Sequence, residues 1–407
     1  VTTGNLLGVN PNLEPLQNNG GNTFTHELLA GSPAMESGDP ATPGSGGGAC
    51  EATDQRGVTR PIGLRCDMGA LEADNPPQVG PVFIVNTTDD PGDGVCGYSH
   101  CSLREAIAAA NARPNGTTPD QITFNIAGTG PHTIAPTSAL PAITDPVLVD
   151  GTTDAVVLDG LNAGAGADGL TLNTGNSTVR NLTITGFSGN GVRVNSGSGN
   201  ALHANSIFDN GGLGIELGED DVTPNDTADA DAGANNLQNF PVLTRAVPGG
   251  GNVTIEGRLN STANTTFTLE FFASSSCDSS SFGEGQTFLG ATTATTDATG
   301  DVTNVSGGDT FTATFATTVA AGQYVTATAT DPNGNTSEFS QCAVAGPGND
   351  AWTRAQTLAL GGDPLSASAD QFIDKSGQSR WYKFSVKPGS KVIITLTNLP
   401  ANYDLTL

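Results

Sequence analysis

The chain has 407 residues, including 54 Gly, and carries a formal net charge of −26 from 41 acidic and 15 basic residues. Charged residues make up only 14% and aromatic residues 5%, so the polar character comes from uncharged side chains, which favours short strands and tight turns over helical bundles. Such an acidic chain excludes a nucleic-acid or anionic-lipid partner, and no apolar run approaches the ~20 residues that span a membrane.

The first 76 residues are rich in loop signals and carry a set of short motifs. The motifs are Asn19-Gly20-Gly21, Thr25-His26, Gly31-Ser32-Pro33-Ala34, Arg60-Pro61 and Cys66-Asp67. Together they resemble the choice-of-anchor Q region found at the C-terminal end of bacterial β-helices. The resemblance implies that residues 1–76 form the end region of a β-helix. With no second His nearby, His26 is expected to be a hydrogen-bonded structural residue.

Residues 77–243 begin with a strand, an acidic turn, a cysteine pair and a short helix. The sequence CSLREA starts at Cys101, and the alanines that follow favour the helix, with Arg104 and Glu105 in its first turn. This run resembles the segment that caps right-handed parallel β-helices on bacterial cell surfaces. The resemblance implies an extracellular β-helix that extends to about Leu243.

A coil period supports this interpretation. Gly169, Gly191 and Gly214 lie 22 and 23 residues apart, and each precedes an apolar, a polar and an apolar residue. Period-2 alternation predicts that Leu170, Val192 and Ile215 point inward, and that Thr171, Arg193 and Glu216 face solvent. Stacked coils would place Arg193 beside Glu216, and His203 over Arg180. Residues 179–184 and 202–207 are predicted to supply the second strand of each coil.

Residues 244–345 alternate between apolar and polar residues, as in antiparallel strands, with turn signals every 8–12 residues. We expect a seven-strand sandwich of immunoglobulin-like type. Phrases such as TLEFFASSSCD, GEGQTFLG and VTATATDPNGNTSEFSQC resemble the sandwich that commonly follows such β-helices. The predicted fold class is therefore all-β.

Residues 346–407 carry a third set of motifs. They are Asn349-Asp350, Trp381-Tyr382-Phe384 and Leu399-Pro400-Tyr403-Asp404-Leu405. They resemble the bacterial pre-peptidase C-terminal domain, which implies a partial jelly-roll-like domain. Trp352 and Trp381 are the only tryptophans of the chain, and they would carry a carbohydrate-binding alternative, although Trp381 fits the core of that domain better.

The six cysteines fall into three pairs by sequence region, and their spacing is not that of zinc or thioredoxin-like motifs. We predict the disulfides Cys50–Cys66, Cys96–Cys101 and Cys277–Cys342. Six cysteines allow 15 connectivities, and free thiols in a cytosolic protein are the alternative. Disulfides would indicate an oxidising compartment and an extracellular location.

An acidic loop follows the predicted coils. Six carboxylates lie within 13 residues between Glu219 and Asp231, a crowding that a hard cation would neutralise. Ca²⁺ prefers oxygen ligands, and the candidates are Asp220, Asp221, Asp226, Asp229 and Asp231. The loop is not an EF-hand, because Phe240 stands where a bidentate Glu is required. A solvated acidic loop is the alternative. Asp89, Asp90 and Asp93 form a weaker candidate.

Parallel β-helices also host polysaccharide lyases and hydrolases. A lyase needs a cationic base, and a hydrolase needs paired carboxylates in a cleft lined by aromatics. The predicted β-helix has no Lys, and the aromatic residues of its visible coils are Phe187 and Phe208. We therefore expect a non-catalytic structural or adhesive protein of a bacterial surface fibre, sheath or adhesin. A polysaccharide-binding or polysaccharide-degrading β-helix is the alternative.

The resemblances at both ends of the chain point to incomplete β-domains. Residues 1–74 look like the close of a β-helix, and residues 347–407 look like a domain without its later strands. Unpaired strand edges and exposed apolar surface are seldom tolerated. We expect copies of the chain to complete one another in a head-to-tail assembly, with Tyr403–Leu407 as a candidate strand, or other surface proteins or glycans to bind there. A fragment of a longer chain is the alternative.

Overall fold

The structure is a computed structural model that describes residues 6–29, 31–92, 94–218, 221–303 and 308–346, then residues 356–357, 382–385 and 393. The chain divides into two compact units, Val1–Gly346 and Pro347–Leu407. The first unit is built from a parallel β-helix and an antiparallel β-sandwich. The predicted all-β fold class is confirmed.

The β-helix contains twelve short strands and one α-helix among the described residues. They are β1 (Val82–Val85), α1 (Leu103–Ala112), β2 (Asp120–Phe124), β3 (His132–Ile134), β4 (Val147–Asp150), β5 (Val156–Asp159), β6 (Leu170–Leu172), β7 (Thr178–Arg180), β8 (Leu182–Thr185), β9 (Val192–Val194), β10 (Ala201–His203), β11 (Ser206–Phe208) and β12 (Ile215–Leu217). The strands stack in parallel as three sheets, ordered β1-β2-β4-β7-β10, β3-β5-β8-β11 and β6-β9-β12.

The predicted coil register is confirmed. Leu170, Val192 and Ile215 stack on one another and are at most 3% exposed, so they form an inward row. Arg193 lies opposite Glu216, and His203 lies opposite Arg180. The prediction that Glu216 faces solvent is wrong, because this residue is only 3% exposed at the covered end of the β-helix.

Each predicted second strand is in fact two strands joined by a sharp bend. Residues 179–184 divide into β7 and β8 at Asn181 (φ 57°), and residues 202–207 divide into β10 and β11 next to Ala204 (φ 51°). A positive φ turns the chain through a corner and places the two halves in different sheets. Each coil therefore has three sides.

Buried asparagines join the last coil to the coil below it. Asn200, Asn205 and Asn210 recur every five residues and are at most 8% exposed. The Asn205 amide accepts the N–H of Leu182 at 3.1 Å and donates to the carbonyl of Val179 at 2.8 Å. The corners of a coil interrupt the strand ladders, so these side chains provide hydrogen bonds that the strands cannot.

Helix α1 covers the end of the β-helix nearest β1. It buries Leu103, Ala106, Ile107 and Ala110 in the same core as the inward residues of the coils. Ser102 and Glu105 form a capping box, in which each side chain accepts the other's backbone N–H. The capping box fixes the start of the helix within the CSLREA motif.

Among the described residues, the sandwich contains seven strands. They are β13 (Val242–Gly249), β14 (Asn252–Arg258), β15 (Thr266–Ser274), β16 (Thr287–Thr295), β17 (Phe311–Phe315), β18 (Tyr324–Thr330) and β19 (Ala343–Val344). All pair antiparallel, in sheets ordered β13-β14-β17 and β16-β15-β18-β19. Alternate residues such as Val253, Ile255, Phe267 and Leu269 are fully buried between the sheets.

Part of the sandwich packs against the last coil of the β-helix. Phe272 and Phe339 belong to the β-helix core, and their rings meet edge to face with centroids 5.2 Å apart. Ile207 of β11 exchanges two backbone hydrogen bonds with Gly285, at 2.9 and 2.7 Å. The β-helix and the sandwich are therefore continuous in packing, and the sandwich covers the coil edge.

Residues 6–76 are held mainly by side-chain contacts. Among the described residues of this region there are isolated bridges, such as Leu13 with Leu28, but no longer strand. Arg60 donates to the carbonyls of Asp67 and Gly69 at 2.9 and 2.8 Å. In the second unit, β20 (Gln356–Thr357) and β21 (Tyr382–Lys383) form a short parallel pair.

Candidate metal centre and the cysteine pairs

The acidic loop after β12 is tied to the sandwich by amide side chains. Asn225 accepts the N–H of Phe240 at 2.9 Å and donates to its carbonyl at 2.8 Å. Asn260 accepts the N–H of Ala228 at 2.7 Å. Ala228 and Asp229 both have positive φ, so the chain folds back on itself at this point. The fold-back directs nearby carboxylates toward one another.

Three of the predicted ligands come together. One oxygen each of Asp226, Asp229 and Asp231 lies within 4.8 Å of the others. Asp229 also accepts hydrogen bonds from the N–H of Asn239 at 2.8 Å and the hydroxyl of Ser261 at 3.0 Å. These bonds orient Asp229 within the cluster.

Of the other two predicted ligands, one lies outside this cluster and the other is not among the described residues. Asp221 is exposed and outside the group, and Asp220 lies outside the described residues. The described residues therefore bring together three of the five predicted ligands.

Burial and mutual repulsion raise the pKa values of the cluster. Burial raises the pKa of Asp229 to about 6, the negative charges of Asp231 and Asp226 add to the rise, and the hydrogen bonds from Asn239 and Ser261 partly offset it. Burial and the charge of Asp226 also raise the pKa of Asp231. Carboxylates held together in this way attract either protons or a cation.

The cluster fits a hard divalent cation. Its donors are carboxylate oxygens, which Ca²⁺ prefers, and they are already close enough to share one ion. Oδ1 of Asp231 is buried and accepts no hydrogen bond from the described residues. A bound cation would give this oxygen a partner and offset the repulsion.

A second group of carboxylates, Glu36, Asp67 and Glu72, has a different environment. Asp67 accepts backbone N–H groups from Glu36 and Ala73, both at 2.7 Å. The Arg60 guanidinium lies 3.6 Å from Glu72 and supplies a positive charge. The group therefore joins loops of the 6–76 region, and its guanidinium neighbour distinguishes it from the aspartate cluster.

The CSLREA motif supplies an ion pair. Arg104 contacts Asp90 through two hydrogen bonds, Nε to Oδ1 at 3.0 Å and a terminal nitrogen to Oδ2 at 2.8 Å. Asp89 instead contacts His100 at 3.1 Å. The two described carboxylates of the weaker calcium candidate are thus each engaged by another side chain, and Asp93 lies outside the described residues.

The predicted cysteine pairing is confirmed. The structure contains the disulfides Cys50–Cys66, Cys96–Cys101 and Cys277–Cys342, and no cysteine is free. Each bond lies in a different region: the 6–76 segment, the loop before α1, and the sandwich. No helix in the described part of the chain has the length and apolar character needed to cross a bilayer.

Two comparisons with known proteins found no match. The chain matches no model of a protein family. No curated protein matches it either. The class of the protein is therefore defined by its fold, a parallel β-helix joined to an antiparallel β-sandwich and crosslinked by three disulfides.

Proposed function

We propose that the protein is a non-catalytic structural or adhesive component of a bacterial cell surface. The observation that carries the proposal is the combination of a β-helix with three disulfides in three separate regions. Disulfides persist in oxidising compartments, and a stacked solenoid is a stiff, extended scaffold. The resemblance of the CSLREA segment to surface β-helices supports the same location.

The surroundings of the coil side chains favour a scaffold over an enzyme. Phe187 is 1% exposed and packs in the core, so it offers no platform on which a sugar could stack. The Asp150 carboxylate accepts a hydrogen bond from Arg180 at 2.7 Å, which holds its pKa at about 2 despite the opposing effect of burial. A carboxylate held ionised in this way cannot act as the general acid of a hydrolase.

The test of this proposal is an activity screen. The purified chain is incubated with polyuronates and neutral polysaccharides, with and without Ca²⁺. We expect no turnover in any condition. Cleavage of any of these polymers would contradict the proposal if substitution of a coil carboxylate abolishes that activity. Such a result would support the polysaccharide-degrading alternative. A glycan array on the same sample tests the carbohydrate-binding alternative. Trp352 and Trp381, the residues that would bind the sugar, lie outside the described residues.

We propose in addition that Asp226, Asp229 and Asp231 bind Ca²⁺. A ligand that binds only the folded state stabilises it by RT ln(1 + [L]/Kd), about 2.7 kcal/mol at one hundred times Kd. The melting temperature should therefore rise with Ca²⁺ concentration. Protonation of Asp229 competes with metal binding, so the apparent affinity should fall as the pH drops below about 6.

Matched variants separate this site from general charge effects. Asp229→Ala combined with Asp231→Ala should abolish the calcium-dependent rise in melting temperature. Asp221→Ala removes a carboxylate from the same loop but outside the cluster, and it should leave the rise intact. The calcium proposal fails if EDTA leaves the melting curve of the wild type unchanged, or if both variants behave alike.

Self-association belongs to the same proposal. Residues 6–29 expose an unusual number of large apolar side chains, including Leu7 at 74%, Leu16 at 57% and Phe24 at 64%. Exposed apolar surface of this kind marks contact sites in soluble proteins. We expect sedimentation to show association between copies that is weakened by Leu16→Asp with Phe24→Asp. Tyr403–Leu407, the strand expected to pair between copies, lies outside the described residues.

A further inference from the structure

Three glutamates of the sandwich contact the last coil of the β-helix. The last coil has no coil above it, so some of its backbone N–H groups lack a strand partner. Carboxylates take the place of that strand. Glu270 accepts the N–H of Ala204 at 3.1 Å. Glu284 accepts the N–H groups of Asp209 and Asn210 at 2.6 and 3.0 Å. Glu338 accepts the N–H groups of Leu217 and Thr223 at 3.1 and 3.0 Å.

Each of the three sides of the coil receives one of these glutamates. Glu270 binds just after β10, Glu284 just after β11, and Glu338 at β12 and the loop that follows. All three are at most 9% exposed. The carboxylates thus form a regular set of contacts around the edge of the β-helix, separate from the aspartates of the candidate calcium site.

Glu338 is the most deeply buried of the three, at 2% exposed. The charged neighbour that affects Glu338 is Glu216 of β12, which is also an acid and lies opposite Arg193 of β9. The described residues form no ion pair with Glu338 itself. Burial raises the pKa of Glu338 to about 8, and the charge of Glu216 adds to the rise, whereas the N–H groups of Leu217 and Thr223 partly offset it.

The remaining two contacts have their own charged neighbours. Burial raises the pKa of Glu284, the charge of Asp278 adds to the rise, and the hydrogen bonds from Asn210 and Asp209 partly offset it. Glu270 faces His203, whose ring nitrogen lies 3.6 Å from the carboxylate.

The sign of the pH effect follows from these contacts. When the sandwich leaves the coil, the Glu338 carboxyl returns to its ordinary pKa of 4.5 and releases its proton. The raised pKa therefore stabilises the closed contact fully below pH 4.5, and that contribution is lost as the pH rises toward about 8. Between these values, the equilibrium constant for opening rises by up to about tenfold per pH unit.

We propose that the sandwich is a pH-dependent cover of the β-helix end, closed in acid and opening locally as the pH becomes mildly alkaline. Opening exposes the backbone edge of β10, β11 and β12 together with Phe272 and Phe339. An exposed row of strand N–H and C=O groups readily pairs with another extended segment. The cover therefore determines when this edge is available for contact.

Hydrogen exchange measured by mass spectrometry tests the proposal on the complete chain. Protection factors, corrected for intrinsic exchange at each pH, are compared between the β12 segment and the interior strand β2. We expect the ratio of the β12 to the β2 protection factor to fall by up to about tenfold for each pH unit between pH 5 and 8. A ratio that stays constant over this range overturns the proposal.

Two variants identify the titrating group. Glu338→Gln cannot ionise, so the pH dependence of the ratio should be strongly reduced, whatever its absolute level, with a smaller remainder from Glu284. Glu51→Gln, at an exposed glutamate of the 6–76 region, should keep the wild-type dependence. An unchanged dependence in Glu338→Gln contradicts the assignment to this residue.

A spectroscopic measurement covers the case in which Glu338→Gln does not fold. The infrared carbonyl band of a protonated carboxyl group should be present in the wild type at pH 7 and disappear above about pH 9. Absence of that band at pH 7 overturns the proposal without any variant.

Discussion

The ion pair between Arg104 and Asp90 offers a quantitative test of how the CSLREA motif stabilises the β-helix. The Arg104 and Asp90 side chains are 17% and 4% exposed. Arg104 also donates to the carbonyls of Ser138 and Ala139 at 2.9 and 2.8 Å, and the N–H of Thr137 donates to Asp90 at 2.8 Å. The pair thus joins the acidic turn, α1 and the loop before β4.

Removing Arg104 leaves the buried Asp90 carboxylate without its positive partner and two carbonyls without their donor, while Thr137 still donates to Asp90. Loss of one partner of a buried ion pair costs about 3–5 kcal/mol. Because Arg104 is partly exposed, we expect Arg104→Met to lower the free energy of unfolding by about 3 kcal/mol. Asp90→Asn removes the charge but keeps an oxygen for the N–H of Thr137, so we expect about 2 kcal/mol. The double variant should cost less than the sum by about 2 kcal/mol.

Urea unfolding followed by far-ultraviolet circular dichroism measures all four proteins of this cycle. Burial opposes ionisation of Asp90, but the hydrogen bonds from Arg104 and Thr137 hold its pKa below 3.8. A lowered pKa stabilises the fold at pH values above the ordinary pKa of 3.8, and this stabilisation is lost in acid. The cost of Arg104→Met should therefore shrink as the pH falls below about 3.8. Additive single costs, or a cost that is unchanged in acid, would refute the reasoning.

Three further changes test other parts of the structure. Replacing Cys277 and Cys342 by Ser opens a loop with a sequence separation of 65 and should cost about 4 kcal/mol in the chain-entropy model; an unchanged urea midpoint would exclude this. Gly169→Ala brings a Cβ within 2.4 Å of the Gly191 carbonyl and should destabilise the fold by about 2 kcal/mol or more. The control Gly116→Ala meets no atom within 4 Å and should be nearly neutral. Equal effects of the two variants would contradict the close-packing argument. Asn205→Ala leaves buried backbone groups unpaired and should cost about 2 kcal/mol, with faster hydrogen exchange in the coil below as the sign that these bonds are lost.

The coil register could be predicted because it depends on local sequence. A side chain points inward or outward according to period-2 alternation, and a constant coil length stacks equivalent positions, as it does for Leu170, Val192 and Ile215. The corners between the strands of each coil were harder to predict. Asn181 is a residue type that tolerates positive φ and gave a usable signal, whereas Ala204 gave none. The single second strand predicted for each coil is therefore two strands in the structure.

The covered end of the β-helix could not be predicted, because its contacts join distant parts of the chain. Glu270 lies 66 residues from Ala204, and Glu338 lies 121 residues from Leu217. Nothing in the local sequence distinguishes these glutamates from solvated ones, and Glu216, which alternation assigned to the surface, is buried at the same end. The capping box of Ser102 and Glu105 was different, since its Ser-x-x-Glu spacing was a readable signal.

The candidate metal site was predictable in composition but not in geometry. Crowded carboxylates after the last coil indicated a cation, yet their spacing did not show which of them would meet. The answer depends on contacts from elsewhere, such as Asn239 and Ser261, which orient Asp229. Asp221 has no such contact with the cluster and stays outside it.

The two ends of the β-helix are covered by different structures, and this restricts how copies can associate. At the first end, Gln78 donates to the carbonyl of Ile84 and accepts its N–H, and α1 buries Ile107 in the core. At the other end, the sandwich occupies the edge. In this closed conformation, coils of two copies cannot stack directly at either end, whereas the apolar side chains of residues 6–29 remain exposed for contact.

The two routes to association predict different pH profiles. Contact through residues 6–29 involves exposed apolar side chains and should change little between pH 5 and 9. Contact through the coil edge requires the sandwich to open and should increase as the pH rises toward about 8. Sedimentation across this range on the wild type and Glu338→Gln therefore separates them. Association that is independent of pH and lost in Leu16→Asp with Phe24→Asp assigns the contact to the apolar segment, whereas alkaline association absent from Glu338→Gln assigns it to the coil edge.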